Sequence, residues 1–240
     1  MEVIMQIEIW FDFSCPFCYI GKTRFEKALN KFKHKDQVKV IYRSYLLNPL
    51  FDNQDNLNIY EYLALEKSTT VEEAKKLFEL PKKMAEQTGL IYNLDQMIPA
   101  NSRLAHMMVK LCEDFEIQSA LINDIYAAHF TNGLDISKLE VLTDLVSKYG
   151  FNSEEIENLI EIKAIKNKVN HDLDLAHSFG IQAVPGFVIN REYLVNGAQN
   201  EAYFLQMLEQ VYREEKVKDK VKKEASYCVG DQCYNPKIKV

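Results

Sequence analysis

The stretch Trp10-Phe11-Asp12-Phe13-Ser14-Cys15-Pro16-Phe17-Cys18-Tyr19-Ile20-Gly21-Lys22 decides how the chain is read. Leading into it, Ile7, Ile9, Phe11 and Phe13 alternate with Gln6, Glu8, Trp10 and Asp12, the period of a β-strand. An indole on the second set predicts that both faces of the strand are covered. Beyond it, Phe25, Ala28, Leu29 and Phe32 recur at helical spacing, and Lys22, Lys27, Lys31 and Lys33 surround that stripe. Cys15 and Cys18 therefore fall where a strand ends and a helix begins. The free N–H groups and dipole of a helix N-terminus favour thiolate over thiol, and Pro16 suits a first turn that has no acceptor for its missing N–H. Cys18 lies one turn from Cys15, near enough to close a disulfide. Such a pair attacks a substrate disulfide through Cys15 and releases the product through Cys18. Two incidental cysteines, or half of a metal site, are the competing readings. The spacing, the proline and the strand-to-helix junction together favour redox chemistry.

Working outward, residues 38–47 are rich in β-branched and aromatic side chains and read as a second strand, completing a β-α-β opening with a right-handed crossover. From about 58 to 179 the pattern is helical. Thr70-Val71-Glu72-Glu73 and Ser137-Lys138-Leu139-Glu140 both have the form of a capping box. Gly89, Gly150 and Gly180 stand where helices stop, and Pro81 is expected to kink or divide its segment. Residues 102–114 and 117–130 read as two further helices. Strand character returns over 183–189, and the turn Asn190-Arg191-Glu192 leads into Tyr193-Leu194-Val195 as a hairpin. A last helix starts at the N-cap Asn200 and carries Phe204, Met207, Leu208 and Val211 on one face. The nearly all-charged run 213–224 is a solvated helix extension or a linker. One α/β sheet assembled from both ends of the chain, with the helices between them forming a lobe, fits this order. Two sequential domains would leave a lone β-α-β unit with an uncompleted sheet.

Composition narrows the function. The 240 residues are 47% hydrophobic and 27% charged, in the range of ordinary globular proteins, and the net charge is −6. That balance offers no basic footprint for nucleic acid and no polybasic contact for a membrane. The start, Met1-Glu2-Val3-Ile4-Met5, lacks a basic n-region, and no apolar run approaches the roughly 18 residues of a spanning helix. A cytoplasmic, unexported chain is the expectation. Closely spaced cysteines there are catalytic, redox-sensing or metal-binding rather than structural. The five cysteines are Cys15, Cys18, Cys112, Cys228 and Cys233. The five histidines have no metal-ligand spacing, so neither a metal nor a cofactor is expected.

Val184-Pro185 supplies a second element of the site. A cis bond just before the returning strand would expose the Val184 amide and carbonyl beside the thiol, ready to pair with an extended substrate segment. An ordinary trans loop is the alternative. With these motifs in hand, the chain resembles the DsbA-like thioredoxin superfamily, and more closely its FrnE-like branch. The resemblance rests on residues 12–22, Asn101-Ser102-Arg103-Leu104-Ala105-His106, Val184-Pro185-Gly186-Phe187-Val188-Ile189 and Gly197-Ala198-Gln199, and covers about residues 6–212. It implies a thioredoxin fold with a large inserted α-helical domain, Cys15 as nucleophile, Cys18 as resolver and Pro185 in cis. The division is then 1–57 and 166–215 for the two parts of the thioredoxin-like domain, 58–165 for the insertion and 216–240 for a charged extension and cysteine-containing tail. Pro16, Phe17 and Val184 would contact the substrate, a protein or small-molecule thiol or disulfide. Strongly oxidising DsbA enzymes carry a histidine where this chain has Phe17, which implies a weaker oxidant suited to a reductase or isomerase.

The resemblance also implies an auxiliary redox pair in Cys228-Val229-Gly230-Asp231-Gln232-Cys233, with Gly230 letting the chain turn back. A local disulfide without turnover, or a zinc site of four cysteines made with the first pair, competes with that reading. Cys112 reads as a small buried apolar residue, and His106 as a hydrogen-bonded structural histidine rather than a cleft residue. Met97, Met107 and Met108 read as helix core, with adaptable contact to varied apolar substrates as the alternative. Ser14 opens a second function class. Kappa-class glutathione transferases and hydroxychromene-carboxylate isomerases use a serine near this position with a thiol cofactor, but lack the paired cysteines. A non-enzymatic adaptor on the same fold is a third. Oligomeric state is not written in the sequence.

Overall fold

The structure is a computed structural model that describes residues 4–53, 57–152, 154, 156, 158, 163–225, 228–229 and 232–233. Strand β1 (Met5–Phe11) runs into helix α1 (Pro16–Lys31) and returns as β2 (Val38–Ser44). The lobe follows as α2 (Ile59–Glu66), α3 (Val71–Thr88), α4 (Arg103–Leu111), α5 (Phe115–Tyr126) and α6 (Leu139–Ser147). Helix α7 (Lys163–Ser178), the hairpin β3 (Gly186–Ile189) and β4 (Tyr193–Asn196), and helix α8 (Glu201–Ala225) complete the body. Two short strands, β5 (Cys228–Val229) and β6 (Gln232–Cys233), pair antiparallel after it. The fold is the expected thioredoxin-like α/β architecture, one sheet built from both ends of the chain around a helical insertion.

The sheet order is β2-β1-β3-β4. β1 pairs parallel with β2 and antiparallel with β3, so Ile9 stands beside both Tyr42 and Phe187. This central position explains why β1 is buried on both faces. Ile7, Ile9 and Phe11 face the main core, where Phe25 of α1, Phe187 of β3 and Phe204 of α8 meet with ring centroids 4.7–5.6 Å apart. Each such side chain contributes roughly 1.5–3 kcal/mol of burial. Trp10 faces the other way, under α7. Its indole N–H donates to the Asp172 carbonyl at 3.0 Å, and its ring meets Phe179 edge-on at 5.7 Å.

Four local expectations are corrected. β2 stops at Ser44 rather than 47, because the Leu47 amide leaves the ladder and donates to the Asp12 carboxylate at 2.6 Å. Of the kink or division expected at Pro81, division is excluded: α3 continues through it from Val71 to Thr88, with Pro81 buried. Thr70 and Glu73 do form a capping box, but Ser137 does not cap α6. Its hydroxyl and amide both donate to Asp135, in a local Asx turn that competes with capping. Lys22 is not solvated like the other lysines around its stripe. It is 1% exposed, and its ammonium donates to Glu26 (2.6 Å) and Asn123 (2.8 Å), with Ser119 at 3.2 Å, tying α1 to the lobe. Residues 213–224 prove to be the helix extension, continuous with α8.

Candidate active site

Cys15 is the N-cap of α1, with extended dihedrals (φ −92°, ψ 112°), and Pro16 is the first helical residue. Position and residue type are matched: an N-cap leaves the helix geometry, and proline pre-sets the turn that follows it. The Cys18 amide donates to the Cys15 carbonyl at 3.1 Å, closing that turn. Both cysteines are free thiols, 5% and 1% exposed respectively. Burial pushes the Cys18 thiol well above its ordinary pKa, and the hydrogen bond and charge of Cys15 add to the shift. Cys18 is thus held protonated behind Cys15.

The returning half of the sheet supplies the opposite wall. The Cys15 thiol donates to the Val184 carbonyl at 3.6 Å, and the Val184–Pro185 bond is cis, as the sequence predicts. The Pro185 carbonyl accepts from Gly197 N–H at 2.8 Å, while Arg24 of α1 donates to the Ala198 carbonyl at 3.0 Å. Gly21 lets α1 approach this wall. A Cβ built there would lie 2.8 Å from the Pro185 Cγ and 3.3 Å from the Ala198 Cα. The motifs at residues 12–22, 184–189 and 197–199 are therefore one packed unit.

The segment containing Ser102 and His106 joins them through Asp12, which the sequence reading did not single out. The Asp12 carboxylate, 1% exposed, accepts from the Ser14 amide (3.0 Å), the Leu47 amide (2.6 Å) and the Ser102 hydroxyl (2.5 Å). Its backbone carbonyl accepts from Cys15 N–H and the Tyr126 hydroxyl, both at 3.1 Å. Burial raises its pKa, opposed by those hydrogen bonds. The available signal is an acidic residue set between Phe11 and Phe13, just before the cysteines. His106 lies beneath, its ring 5.0 and 4.9 Å from Phe11 and Phe13. It is a buried structural histidine, and burial lowers its pKa to about 3, with a hydrogen bond to the Tyr45 backbone opposing part of that effect.

A cleft of about 540 Å³ opens between this unit and the lobe. Ser14, Cys15, Pro16 and Phe17 line one side; α2, α3 and the segment carrying Met97, Pro99 and Ala100 line the other. Met107 and Met108 remain in the core, whereas Met97, read from the sequence as core, also lines the cleft. Cys112 is buried away from it, donating to the Met108 carbonyl at 3.9 Å. Tyr92 donates to the Pro16 carbonyl at 2.6 Å and stacks on Phe130, so the lobe grips the first turn of α1 directly. Among the described residues no three His, Cys, Asp or Glu side chains cluster as metal ligands. Cys228 and Cys233 stand opposite one another in the β5–β6 register, while Gly230 and the two thiols lie outside the described residues. No helix of the described chain is long and apolar enough to cross a membrane.

Comparison with known proteins shows the same fold. The model of the DSBA-like thioredoxin domain family matches residues 6–209. The uncharacterized protein YwbO of Bacillus subtilis (strain 168) is 24% identical over 205 residues, 83% of this chain and 94% of its own length. The crystal structure of a probable DsbA oxidoreductase from Streptomyces coelicolor superposes with a TM-score of 0.80 at 29% identity, over 97% of this chain and 99% of that one. A 2-hydroxychromene-2-carboxylate isomerase shares the fold at 15% identity and a TM-score of 0.63, over 90% of this chain and 98% of its own. The cytosolic disulfide reductase DsbM of Pseudomonas aeruginosa, solved with GSH, shares it at 14% and 0.58, over 90% and 99%.

Proposed function

Because the chain belongs to the DSBA-like thioredoxin domain family, we propose that it is a thiol–disulfide oxidoreductase exchanging disulfides through Cys15-Pro16-Phe17-Cys18. The observation that carries this reading is the placement of the Cys15 thiol at the start of α1, 3.6 Å from the Val184 carbonyl, with the protonated Cys18 thiol behind it. In the reductive direction the Cys15 thiolate attacks one sulfur of a substrate disulfide, forming a mixed disulfide and expelling the other sulfur as a thiolate. Cys18 then loses its proton and attacks the Cys15 sulfur. The second substrate thiolate leaves, and the protein keeps the Cys15–Cys18 disulfide. Two electrons have passed to the substrate, and an external thiol or dithiol restores the pair; the oxidative direction reverses each step.

Pro16, Phe17 and Val184 border the path of approach, and Pro185 holds the Val184 carbonyl against the thiol. We assign residues 1–57 and 166–215 to the redox body, 58–165 to the lobe that covers it and 216–240 to the extension with the tail pair. Phe17 in the third motif position supports a weaker oxidant working as a reductase or isomerase in the cytoplasm, on the FrnE-like side of the family. The Cys228–Cys233 register supports an auxiliary pair, since directly opposed residues of an antiparallel ladder have Cα atoms about 4.5–5.5 Å apart, within disulfide range. Truncation before Tyr227 should then slow multiple turnover and leave the first attack unchanged.

The deciding experiment is trapping in the full chain. Cys18→Ala should arrest a mixed disulfide on Cys15, identified by mass spectrometry, while Cys15→Ala captures nothing and fails to reduce insulin. Ser14 on the cleft wall favours one second reading, a thiol-cofactor isomerase or transferase. That reading requires activity on a small molecule to survive in the Cys15→Ala, Cys18→Ala double variant and to fall with Ser14→Ala. Loss of neither cysteine affecting function would point instead to an adaptor.

A further inference from the structure

The carbonyl of Pro16, inside the cysteine motif, accepts a hydrogen bond from outside its own helix. Tyr92, 4% exposed, donates its hydroxyl to it at 2.6 Å. Tyr92 belongs to the lobe, on the segment between α3 and α4, and that segment is held firmly. Asn93 N–H donates to the Phe130 carbonyl at 2.7 Å, and the Thr131 hydroxyl donates to the Ile91 carbonyl at 2.6 Å. The Tyr92 ring stacks on Phe130 at 4.6 Å and on Tyr19 of α1 at 6.2 Å. Bonded backbone on both sides and these two stacked rings fix where the hydroxyl points.

Peptide chemistry connects that hydroxyl to Cys15. The Pro16 carbonyl and the Phe17 N–H are the two ends of one peptide group. A donor on the carbonyl draws electron density towards oxygen and makes the N–H at the other end a stronger donor, which is how hydrogen bonds in a chain reinforce one another. A carbonyl has two lone pairs, so the Tyr92 bond does not compete with a helical bond to the same oxygen.

The Phe17 N–H is the amide that a Cys15 thiolate can use. Cys15 is the N-cap of α1, and an N-cap side chain accepts from the second or third helical residue. Those residues are Phe17 and Cys18, and the Cys18 N–H already donates to the Cys15 carbonyl at 3.1 Å. The Phe17 N–H has no acceptor among the described residues. In the thiol form Cys15 donates to the Val184 carbonyl at 3.6 Å. Ionisation ends that bond, because the sulfur has lost its proton and becomes an acceptor facing another acceptor. The Phe17 amide is then its nearest available donor in the turn.

We propose that Tyr92 is a positioning residue for the dithiol, stabilising the Cys15 thiolate by polarising the Pro16–Phe17 peptide group whose N–H caps it. The proposal rests on the oxidoreductase reading for the use made of the thiolate, and adds a lobe residue to the groups that control its reactivity. Burial, then the charges of Cys15, Tyr19 and Cys18, raise the pKa of Tyr92, so its hydroxyl stays protonated and donating while Cys15 ionises. The other titratable groups around the pair are Asp12, Cys18, Tyr19 and Tyr126, with Tyr62, Glu66, Lys67 and His129 on the cleft lining. The substitutions that test the proposal leave all of these in place.

The test follows alkylation of Cys15 by iodoacetamide in the reduced full chain as a function of pH, with the modified residue identified by mass spectrometry. Strengthening a charge-assisted hydrogen bond by about 10–30% corresponds to about 0.1–0.7 pH unit. Tyr92→Phe, which keeps the stacked ring, should raise the midpoint of the profile by about 0.4 pH unit, about a 2.5-fold loss of thiolate at lower pH. The limiting rate at high pH should stay within about twofold, because the thiolate once formed occupies the same place. Tyr92→3-fluorotyrosine, a stronger donor of nearly the same shape, should lower the midpoint, and it carries the test should Tyr92→Phe fail to fold. An ester in place of the Phe17 amide removes the N–H, and in that chain Tyr92→Phe should move the midpoint by less than about 0.1 pH unit. Equal midpoints for the parent and Tyr92→Phe overturn the proposal. So do shifts of the same sign for both Tyr92 substitutions, or an effect of Tyr92→Phe that survives in the ester chain, since the hydrogen bond would then be a packing contact only. A parent chain that fails to reduce insulin while its midpoint responds as expected removes the oxidoreductase reading and leaves the assignment of Tyr92 standing.

Discussion

Gly21→Ala separates two effects of opposite sign. In an exposed helix interior the change would stabilise, because alanine is the better helix former by roughly 0.8–1.0 kcal/mol. Gly21 is not exposed. It lies within α1, and an added Cβ would sit 2.8 Å from the Pro185 Cγ, closer than carbon atoms approach, and 3.3 Å from the Ala198 Cα. Neither neighbour is the free end of a flexible side chain: one is a ring carbon and the other is backbone. Relief must therefore come from moving α1 away from the 184–198 wall, and overpacking of this kind costs about 1–3 kcal/mol. Taking about 2–3 for so close a contact and subtracting the helical gain leaves a net loss of about 1–2 kcal/mol. For a chain of this size that lowers Tm by about 2–8 °C. The same displacement lengthens the 3.6 Å contact between Cys15 and the Val184 carbonyl, so alkylation of Cys15 should change rate in the variant. Urea unfolding followed by circular dichroism, with a parallel alkylation time course, reads both effects. A Gly21→Ala protein as stable as the parent, with unchanged alkylation, would refute the packing argument, because propensity alone would then govern the site.

Lys22→Met should destabilise by about 3 kcal/mol, because it leaves Glu26, Ser119 and Asn123 without their shared buried donor; a denaturation midpoint equal to the parent's would show that the network is dispensable. Stability should fall as pH drops from about 6.5 towards 4.5. The folded pKa values of His129 (about 4) and His106 (about 3) lie below the ~6.5 of an unfolded histidine, so the unfolded state binds more protons in that window. Each histidine contributes about 2–3 kcal/mol to that loss, and His129→Leu should flatten the measured slope by about half; an unchanged slope would exclude His129 as a source. Phe17→His should make the Cys15–Cys18 disulfide more oxidising, by tens of millivolts at about 30 mV per 1.4 kcal/mol, as read against a glutathione redox series. An unraised potential would contradict the account of the third motif position.

The parts of the molecule legible in the sequence were those governed by local pattern. Alternation in β1, the apolar stripe of α1 and the proline in the motif each constrain their own segment, and together they located the strand-to-helix junction. The return of strand character at 183–189 then closed the sheet from the other end. Burial of charge was less legible, because it depends on partners far along the chain. Lys22 belongs by spacing to the polar surround of α1, yet Ser119 and Asn123 of α5 bring it inside. Asp12 reads as a strand-end polar residue until Leu47 and Ser102 converge on it from two other segments. His129 carries no local mark either: nothing in Ala127-Ala128-His129-Phe130 distinguishes a buried histidine from an exposed one. Ser137 failed for the opposite reason: Asp135, two residues back, offered its hydroxyl a nearer partner than the helix did.

On the proposed function, these long-range contacts place the dithiol and the facing wall of the cleft on different parts of the chain. Cys15 and Cys18 come from the β-α-β half of the sheet, and Val184 and Pro185 come from the hairpin half. The insertion reaches that unit through Tyr92 on the Pro16 carbonyl, Tyr126 on the Asp12 carbonyl and Ser102 on the Asp12 carboxylate. The two tyrosine anchors do not involve Ile59, Phe78 or Met97, which line the lobe's wall of the cleft. Substitutions at Ile59, Phe78 or Met97 therefore reshape the space that a substrate must fill, while the contact between Cys15 and Val184 stays where the sheet puts it. An insertion held in this way can change what the protein accepts without rebuilding the dithiol. On the function proposed here, that places the chemistry in the two ends of the chain and the choice of substrate in its middle.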